Sequence, residues 1–335
     1  MTPADLSRTV QHAVRRAVDA GEIEEAEEVW GRVVVAPPRP GGYGDYATNA
    51  ALQIASALGR PAPEVARLLR GRLLASEGVA DVRVTGPGFL NIALDDGSRE
   101  RSLVAVVARD GARYGYGDEL ADADLVLRVA VGDLRGQVVA DTVVRLVEAQ
   151  GGRARLSSTE GLALRTAPPT PAVPDPYALL GGDALRWALL SAAAHDRPVL
   201  DPATLLAQRA ENPLFLVRYA HSRARRLVHH ARDLGFGPQA GESGPEGAEL
   251  VRVLGEWPSV LRLAARRRAP ERLARELVVL AGAFFDFHDR CGGLLPLGGH
   301  KPLAAHRARL ALAEAAGTVL AGGLSLLGVS APEFV

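Results

Sequence analysis

Three residue types are nearly missing from this chain. Its 335 residues include one cysteine, one methionine and one lysine, and aromatic side chains make up 5% of the total. The single Cys291 excludes an intramolecular disulfide framework and any multi-cysteine zinc site. Lys301 is the only lysine, so every other member of the Lys plus Arg count of 39 is arginine. No apolar run approaches the roughly 18 residues of a membrane-spanning helix. The opening Met1 to Gly21 reads as a charged amphipathic helix rather than a secretory signal. These absences predict a soluble cytoplasmic protein with no membrane partner.

The chain has ample material for packed cores, since 47% of it is hydrophobic and 23% charged, and its length suggests two domains or more. Leu6, Val10, Val14 and Val18 recur every fourth residue, which predicts a helix with one buried stripe. An acidic stretch follows Gly21. Val33 to Val35 reads as a short strand, Gly41 to Asp45 as a turn into a helix over 46–58, and Pro61 and Pro63 open a helix running to Leu74. Alternation at Val82 and Val84, the turn Gly86-Pro87-Gly88 and alternation again over Phe89 to Leu94 predict two paired strands. Residues 1–97 therefore read as a small α+β domain.

A helix near 103–109, the apolar strand Leu125 to Val131, a helix starting after Gly136 and a strand Arg153 to Ser157 make one β-α-β unit. Residues 98–166 thus read as a small α/β, Rossmann-like remnant. A parallel sheet normally has more strands, with both faces covered. The strand at 125–131 is expected to need a further partner, from the N-terminal domain or from a second copy of the chain. From Pro168 to Pro176 five of nine residues are proline, which predicts a stiff linker over 167–181. Every later periodic segment is helical, at 183–193, 202–234, 248–265, 270–290 and 303–321, and an all-α helix bundle is expected over 182–335.

The zero net charge conceals a dipolar chain. Residues 205–275 carry 13 arginines against 7 acids, a net of +6, whereas residues 1–60 carry six arginines and eight acids, a net of −2. Guanidinium clusters suit phosphate backbones because they donate in pairs and stack on bases, although a solvated helix surface in an arginine-biased chain gives the same count. Phe215, Tyr219 and Arg223 fall on one helical face, an arrangement used to stack unpaired nucleotides and equally common in a core. His221, His229 and His230 lack partners at ligand spacing, so no metal site is expected. The loop Gly132 to Gly136, between strand and helix, has the placement of a phosphate cradle. Asp133 opposes that role, because a carboxylate at the helix start takes the free N–H donors itself and repels anions.

Several of these segments together resemble the arginyl-tRNA synthetase family. Gly44-Asp45-Tyr46-Ala47-Thr48-Asn49 and Gly86-Pro87-Gly88-Phe89-Leu90-Asn91 are similar to motifs of that family's N-terminal domain. Asp183-Ala184-Leu185-Arg186 is the tetrapeptide for which its anticodon-binding domain is named, and Asn212 to Arg223 and Leu324 to Glu333 are similar to later parts of that domain. The resemblance implies a tRNA D-loop contact by Phe89 and Asn91, and an anticodon-loop contact by Asn212, Tyr219 and Arg223. It also implies a loss. Where the family carries two histidines after the first strand of its nucleotide-binding fold, this chain has Ala130 and Asp133, and most of the catalytic fold, with the second signature loop, is missing between the two RNA-contacting domains.

The reading that follows is a pseudoenzyme, a truncated paralogue that needs no cofactor and binds tRNA, in the first instance arginine tRNA. Two alternatives stay open: an interaction module that partners full-length arginyl-tRNA synthetase or itself, and a nominal arginine-tRNA ligase that binds ATP. Arg218, where the family usually has glutamine, and Phe215-Leu216, in place of a tyrosine pair, are departures at the expected contacts.

Overall fold

The computed structural model describes residues 3–24, 33–39, 42–298 and 300–334. The acidic stretch from Glu25 onward and Gly41 lie outside the described residues. The chain forms two compact units, Met1–Val106 and Val107–Val335.

The first unit is an α+β fold. Helix α1 (Pro3–Asp19) buries Leu6, Val10 and Val14 as its four-residue spacing predicts. Strands β1 (Val35–Ala36) and β2 (Tyr46–Thr48) lead to α2 (Ala50–Leu58) and α3 (Ala62–Leu74), and then to β3 (Val79–Thr85), β4 (Phe89–Leu94) and α4 (Asp96–Asp110). The antiparallel sheet runs in the order β1-β2-β4-β3, with Ala47 and Arg83 flanking Asn91 in register. Leu90, Ile92 and Leu94 share one face of β4 and join α1, α2 and α3 in the core. The segment at 46–48, expected to begin a helix, is a strand instead. Tyr46 and Thr48 alternate inward, at 8% and 1% exposure, and the helix waits until Ala50.

The second unit joins a small parallel sheet to a helix bundle. Strand β5 (Asp124–Arg128) is followed by α5 (Leu134–Glu148), β6 (Arg153–Ser157) and β7 (Leu162–Ala163). All pairs are parallel, in the order β6-β5-β7. Both neighbours of β5 therefore come from within 40 residues of it, and the expected open edge is taken by a two-residue strand that period counting is too coarse to find. The connection from β6 to β7 passes tightly against β5. A Cβ on Gly161 would lie 2.3 Å from the Val126 carbonyl oxygen, and its φ of +98° is one that only glycine adopts freely. Helix α5 packs on β6 and also against the bundle helices introduced below.

The bundle comprises α6 (Pro176–Ser191), α7 (Pro202–Leu205), α8 (Pro213–Asp233), α9 (Ala248–Arg267), α10 (Pro270–Arg290) and α11 (Ala304–Leu327). α5 contacts α6, α9, α10 and α11. The helix expected over 202–234 breaks after Leu205, and Pro213 starts α8 afresh beyond a non-helical stretch over 206–212. By length and composition α11 is apolar enough to span a membrane, but 78% of its most apolar window is buried in the structure, as the core helix of a bundle.

The proline-rich stretch is not a free spacer. Ala167 N–H donates to the Ala194 carbonyl, Thr170 N–H to Pro198 and Leu200 N–H to Thr170, each at 2.8 Å. α6 already begins at Pro176, with Asp175 capping it by accepting Ala178 N–H at 2.9 Å. The backbone of Ala167 and Thr170, together with the Pro168 carbonyl that accepts Arg197 Nε–H at 3.4 Å, ties this stretch to residues 194–200.

Candidate functional site

In the first unit Gly44 and Asp45 build a frame. Gly44, at φ +83°, sits so close to β4 that a Cβ would lie 2.6 Å from the Ile92 carbonyl oxygen. The Asp45 carboxylate accepts Leu94 N–H at 2.8 Å and Arg99 Nε–H at 2.9 Å, and Tyr46 shares a hydroxyl bond of 2.7 Å with Ser102. This frame fixes β4, whose outer face starts at Phe89. That ring is 40% exposed, whereas Asn91 is 7% exposed. Phe89 is thus accessible to a base, and the Asn91 side chain is largely covered. Beside them on the edge strand, the Arg83 guanidinium lies 3.5 Å over the Tyr43 ring, and the Tyr43 hydroxyl donates to Asp81 at 2.6 Å. Accepting that hydroxyl holds the Asp81 carboxyl below its usual range.

In the second unit Tyr219 is the middle of a three-ring stack. It lies 5.6 Å from Phe215 and 5.3 Å from Phe285, with interplanar angles of 12° and 25°, and is 40% exposed. The Arg223 Nε and Nη2 donors reach His288 Nε2 at 3.3 and 3.2 Å. An accepting Nε2 puts the proton on Nδ1, which then donates to Asp289 at 3.0 Å. Phe215, Tyr219, Phe285, Arg223 and His288 therefore form one aromatic and cationic surface built by α8 and α10. Period reading of α8 finds three of them. Phe285 and His288 were missed because they lie on another helix, and their i, i+3 spacing beside Phe284 and Phe287 was the only local signal.

Asn212 does not join that surface. It is 3% exposed and caps α8: its oxygen accepts Leu214 N–H at 3.1 Å, while its amide donates to the Leu205 and Ala207 carbonyls at 2.9 and 2.8 Å. All its polar capacity in this loop serves the chain itself. Arg218 is similarly committed. It pairs with Asp183, the first residue of the Asp-Ala-Leu-Arg tetrapeptide, and donates to Ser330 Oγ at 2.6 Å, so α6, α8 and the segment after α11 are clamped together. Burial pushes the Asp183 carboxyl up, but the hydroxyl and N–H of Ser330, together with Arg218, outweigh it and hold it below its ordinary range. Arg186, the last residue of the tetrapeptide, donates to Leu327 O at 3.1 Å, and Arg145 donates to Leu326 O at 2.8 Å. The two arginines satisfy carbonyls at the negative end of α11.

At the carboxyl ends of β5 and β6 a cavity of about 570 Å³ is lined by residues 129–134, Gln137 and 156–158. This is where open parallel sheets place ligands. Four N–H groups around the start of α5 are engaged within the chain. Asp133 N–H bonds Ala130 O, Leu134 N–H bonds Gly132 O, Gln137 N–H bonds Asp133 O, and Gly136 N–H bonds the Asp133 carboxylate at 2.8 Å. Ala130 supplies no side-chain donor, and Val131 on the lip is 94% exposed.

Behind this loop lies Arg135, 1% exposed. Its guanidinium donates to the carbonyls of Leu189, Ala167, Asp196, Ala192 and Ala193 at 2.6 to 3.2 Å. Burial draws the guanidinium below its ordinary value, against the opposing pull of Asp133, Asp196 and Glu271. Its place in Leu134-Arg135-Gly136, a tripeptide similar to the family's, marks the position in the sequence but not this tethering role.

The model of the arginyl tRNA synthetase N terminal domain matches residues 4–94, and that of the DALR anticodon binding domain matches residues 217–335. Curated relatives include an arginine–tRNA ligase of Renibacterium salmoninarum, 40% identical over 158 residues, and one of Paenarthrobacter aurescens, 42% identical over 159 residues. Each alignment covers 46% of this chain and 29% of the relative, so the chain spans under a third of the length of the ligases it matches. Among solved structures, the arginyl-tRNA synthetases of Thermus thermophilus and Plasmodium falciparum share the fold. Their TM-scores are 0.53 and 0.52, at 13% and 9% identity, and each comparison covers all of both chains. By its two domains, the chain belongs to the arginyl-tRNA synthetase family.

Proposed function

We propose that this protein binds tRNA, with arginine tRNA as the first candidate, and does not aminoacylate it. The observation that carries the binding half is the Phe215–Tyr219–Phe285 stack beside Arg223 in a DALR domain. A half-exposed ring flanked by two others and a guanidinium offers unpaired bases a stacking platform that is already rigid. In the other matched domain, exposed Phe89 offers a second stacking site, supported by the Arg83–Tyr43 pair.

The loss of aminoacylation rests on electrostatics. Forming an adenylate places developing negative charge on phosphates, and preorganised donors must meet it. The loop at the cavity presents Ala130 and Asp133, and the N–H groups of Asp133, Leu134, Gly136 and Gln137 are engaged within the chain. A carboxylate there raises the energy of a phosphate rather than lowering it. Titration of the full chain with an in vitro transcribed arginine tRNA and with an unrelated tRNA at several salt concentrations tests binding; affinity equal to that of a neutral control protein ends the proposal. Incubation with ATP, arginine and tRNA tests the second half, and arginine-dependent charging overturns it.

A further inference from the structure

The turn between α9 and α10 concentrates charge that the stacking surface does not use. Residues 262–275 hold six arginines and one acid, Glu271, a net of +5. Arg262 donates to Ser259 and Arg266 pairs with Glu119 at 3.2 Å. Among the described residues no carboxylate lies within ion-pair distance of Arg267, Arg268, Arg272 or Arg275, and Arg267, Arg272 and Arg275 are exposed.

Fold stability does not account for the cluster. Arg266 and Arg267 suit the C-terminal end of α9, but Arg272 and Arg275 stand in the first two turns of α10, where cations oppose the helix dipole. Arg268 occupies the left-handed cap of α9 at φ +53°, a position that favours glycine and strains an L side chain. Self-repulsion, dipole and backbone all argue against arginine at these sites unless an external anion is bound.

We infer that the α9–α10 corner is a binding surface for the RNA phosphate backbone, continuous along α10 with the stacking surface. The inference rests on the tRNA-binding reading and extends it. Arg275 lies ten residues before Phe285 on the same helix, which places it about 15 Å along the axis and about 80° around it. A single nucleic-acid strand spans that distance. Bases then stack on Tyr219 and Phe285 while phosphates further along the strand meet Arg267, Arg268, Arg272 and Arg275.

The test uses the full chain, arginine tRNA transcript and two variants: the combined Arg267→Gln, Arg268→Gln, Arg272→Gln and Arg275→Gln protein, and Arg268→Gly alone. Losing four phosphate contacts lowers the slope of log affinity against log salt by about 3 and weakens binding on the order of 100-fold at 0.15 M salt. Arg268→Gly weakens binding severalfold while melting at the same temperature or higher, a combination that a purely structural role does not give. If the wild type binds no tRNA, the tRNA reading fails and the inference with it. If the wild type binds and the fourfold variant keeps its affinity and salt slope, the inference alone fails. A fourfold variant that keeps tRNA binding but loses binding to phosphatidylserine vesicles overturns it in favour of a membrane surface.

Discussion

Arg135 offers the sharpest test of how the second unit is held together. Its guanidinium satisfies five carbonyls within 3.2 Å, drawn from the end of α6, the segment after it and the proline-rich stretch. Arg135→Met keeps the apolar stem as far as the position of Nε, which limits the cavity to the space of the guanidinium head, and it removes every donor. Hydrogen bonds from a charged group contribute about 1.5 to 3 kcal/mol each, so five at the low end sum to roughly 7 kcal/mol. Asp196 is exposed and its carbonyl regains water in the variant, whereas Leu189 is fully buried and its carbonyl does not. Discounting by about half leaves a loss of about 4 kcal/mol, within the range for breaking a buried charged network. For a unit of this size that lowers the melting temperature by about 8 to 16 °C. Thermal and urea unfolding followed by circular dichroism measure it. Amide exchange rises first in residues 192–197, because those carbonyls lose their tether. Arg135→Lys recovers only part of the loss, since one ammonium cannot fan out to five acceptors. A loss below 1 kcal/mol for Arg135→Met, or full stability for Arg135→Lys, refutes the tether.

The remaining predictions separate framework from contact. Tyr219→Ala weakens tRNA binding by about 1 to 3 kcal/mol, the value of one stacked base, beyond a modest fall in melting temperature from its two lost ring contacts; Asn212→Ala lowers stability by about 1 kcal/mol through its lost cap and leaves the intrinsic affinity alone. Gly161→Ala destabilises the second unit by more than about 1 kcal/mol, because the new Cβ meets the Val126 carbonyl at a positive φ; wild-type unfolding in urea would contradict the tight passage of that connection. Burial depresses the His221 imidazole below its ordinary 6.5, while its Nδ1 bonds the Pro332 carbonyl at 3.1 Å. Its contribution is therefore complete above pH 6.5 and is lost as the pH falls through the lowered value. Amide exchange across 330–334 should quicken from pH 7.5 to 5.5, and a pH-independent rate after correction for intrinsic chemistry would contradict this. Asp183, also depressed, contributes above its ordinary 3.8 and loses that contribution below it, so the stability deficit of Asp183→Asn at pH 7 shrinks as the pH drops under 3.8.

Long periodic elements were legible because burial imposes their period. The stripe Leu6, Val10, Val14 and the alternation over 89–94 each follow from one face meeting a core. What escaped was short or tertiary. β2 and β7 have three and two residues, too few for a period to show, and both exist only because a neighbouring strand offers its edge. The proline-rich stretch looked like a spacer because composition reports what prolines cannot do, not which carbonyls a distant arginine will collect. The site was half legible for the same reason. Tyr219 and Arg223 lie four apart on one helix and announce a shared face, but Asn212, adjacent in sequence, points into its own loop, and Phe285 arrives from a helix more than 50 residues later.

The same reasoning predicts what restoring the missing histidines would do. Ala130→His with Asp133→His reinstates the residue types that the family carries after its first catalytic strand, yet the doubly substituted chain is expected to remain unable to charge tRNA. Transition-state stabilisation needs donors held in place inside a site that excludes water. Here the two imidazoles would stand at the rim of an open cavity formed by two strand ends, beside a valine that is 94% exposed. Asp133 also caps α5, and losing its bond to Gly136 N–H costs about 1 kcal/mol, which frays the helix start that would have to hold the second imidazole. The expected result is a modest fall in melting temperature, tRNA affinity unchanged, and no arginine-dependent charging above the level of the unaltered protein. Charging that appears only in the double variant would show that the cavity already holds ATP and arginine in register, and the view of this sheet as a structural joint between strand and bundle would have to be abandoned.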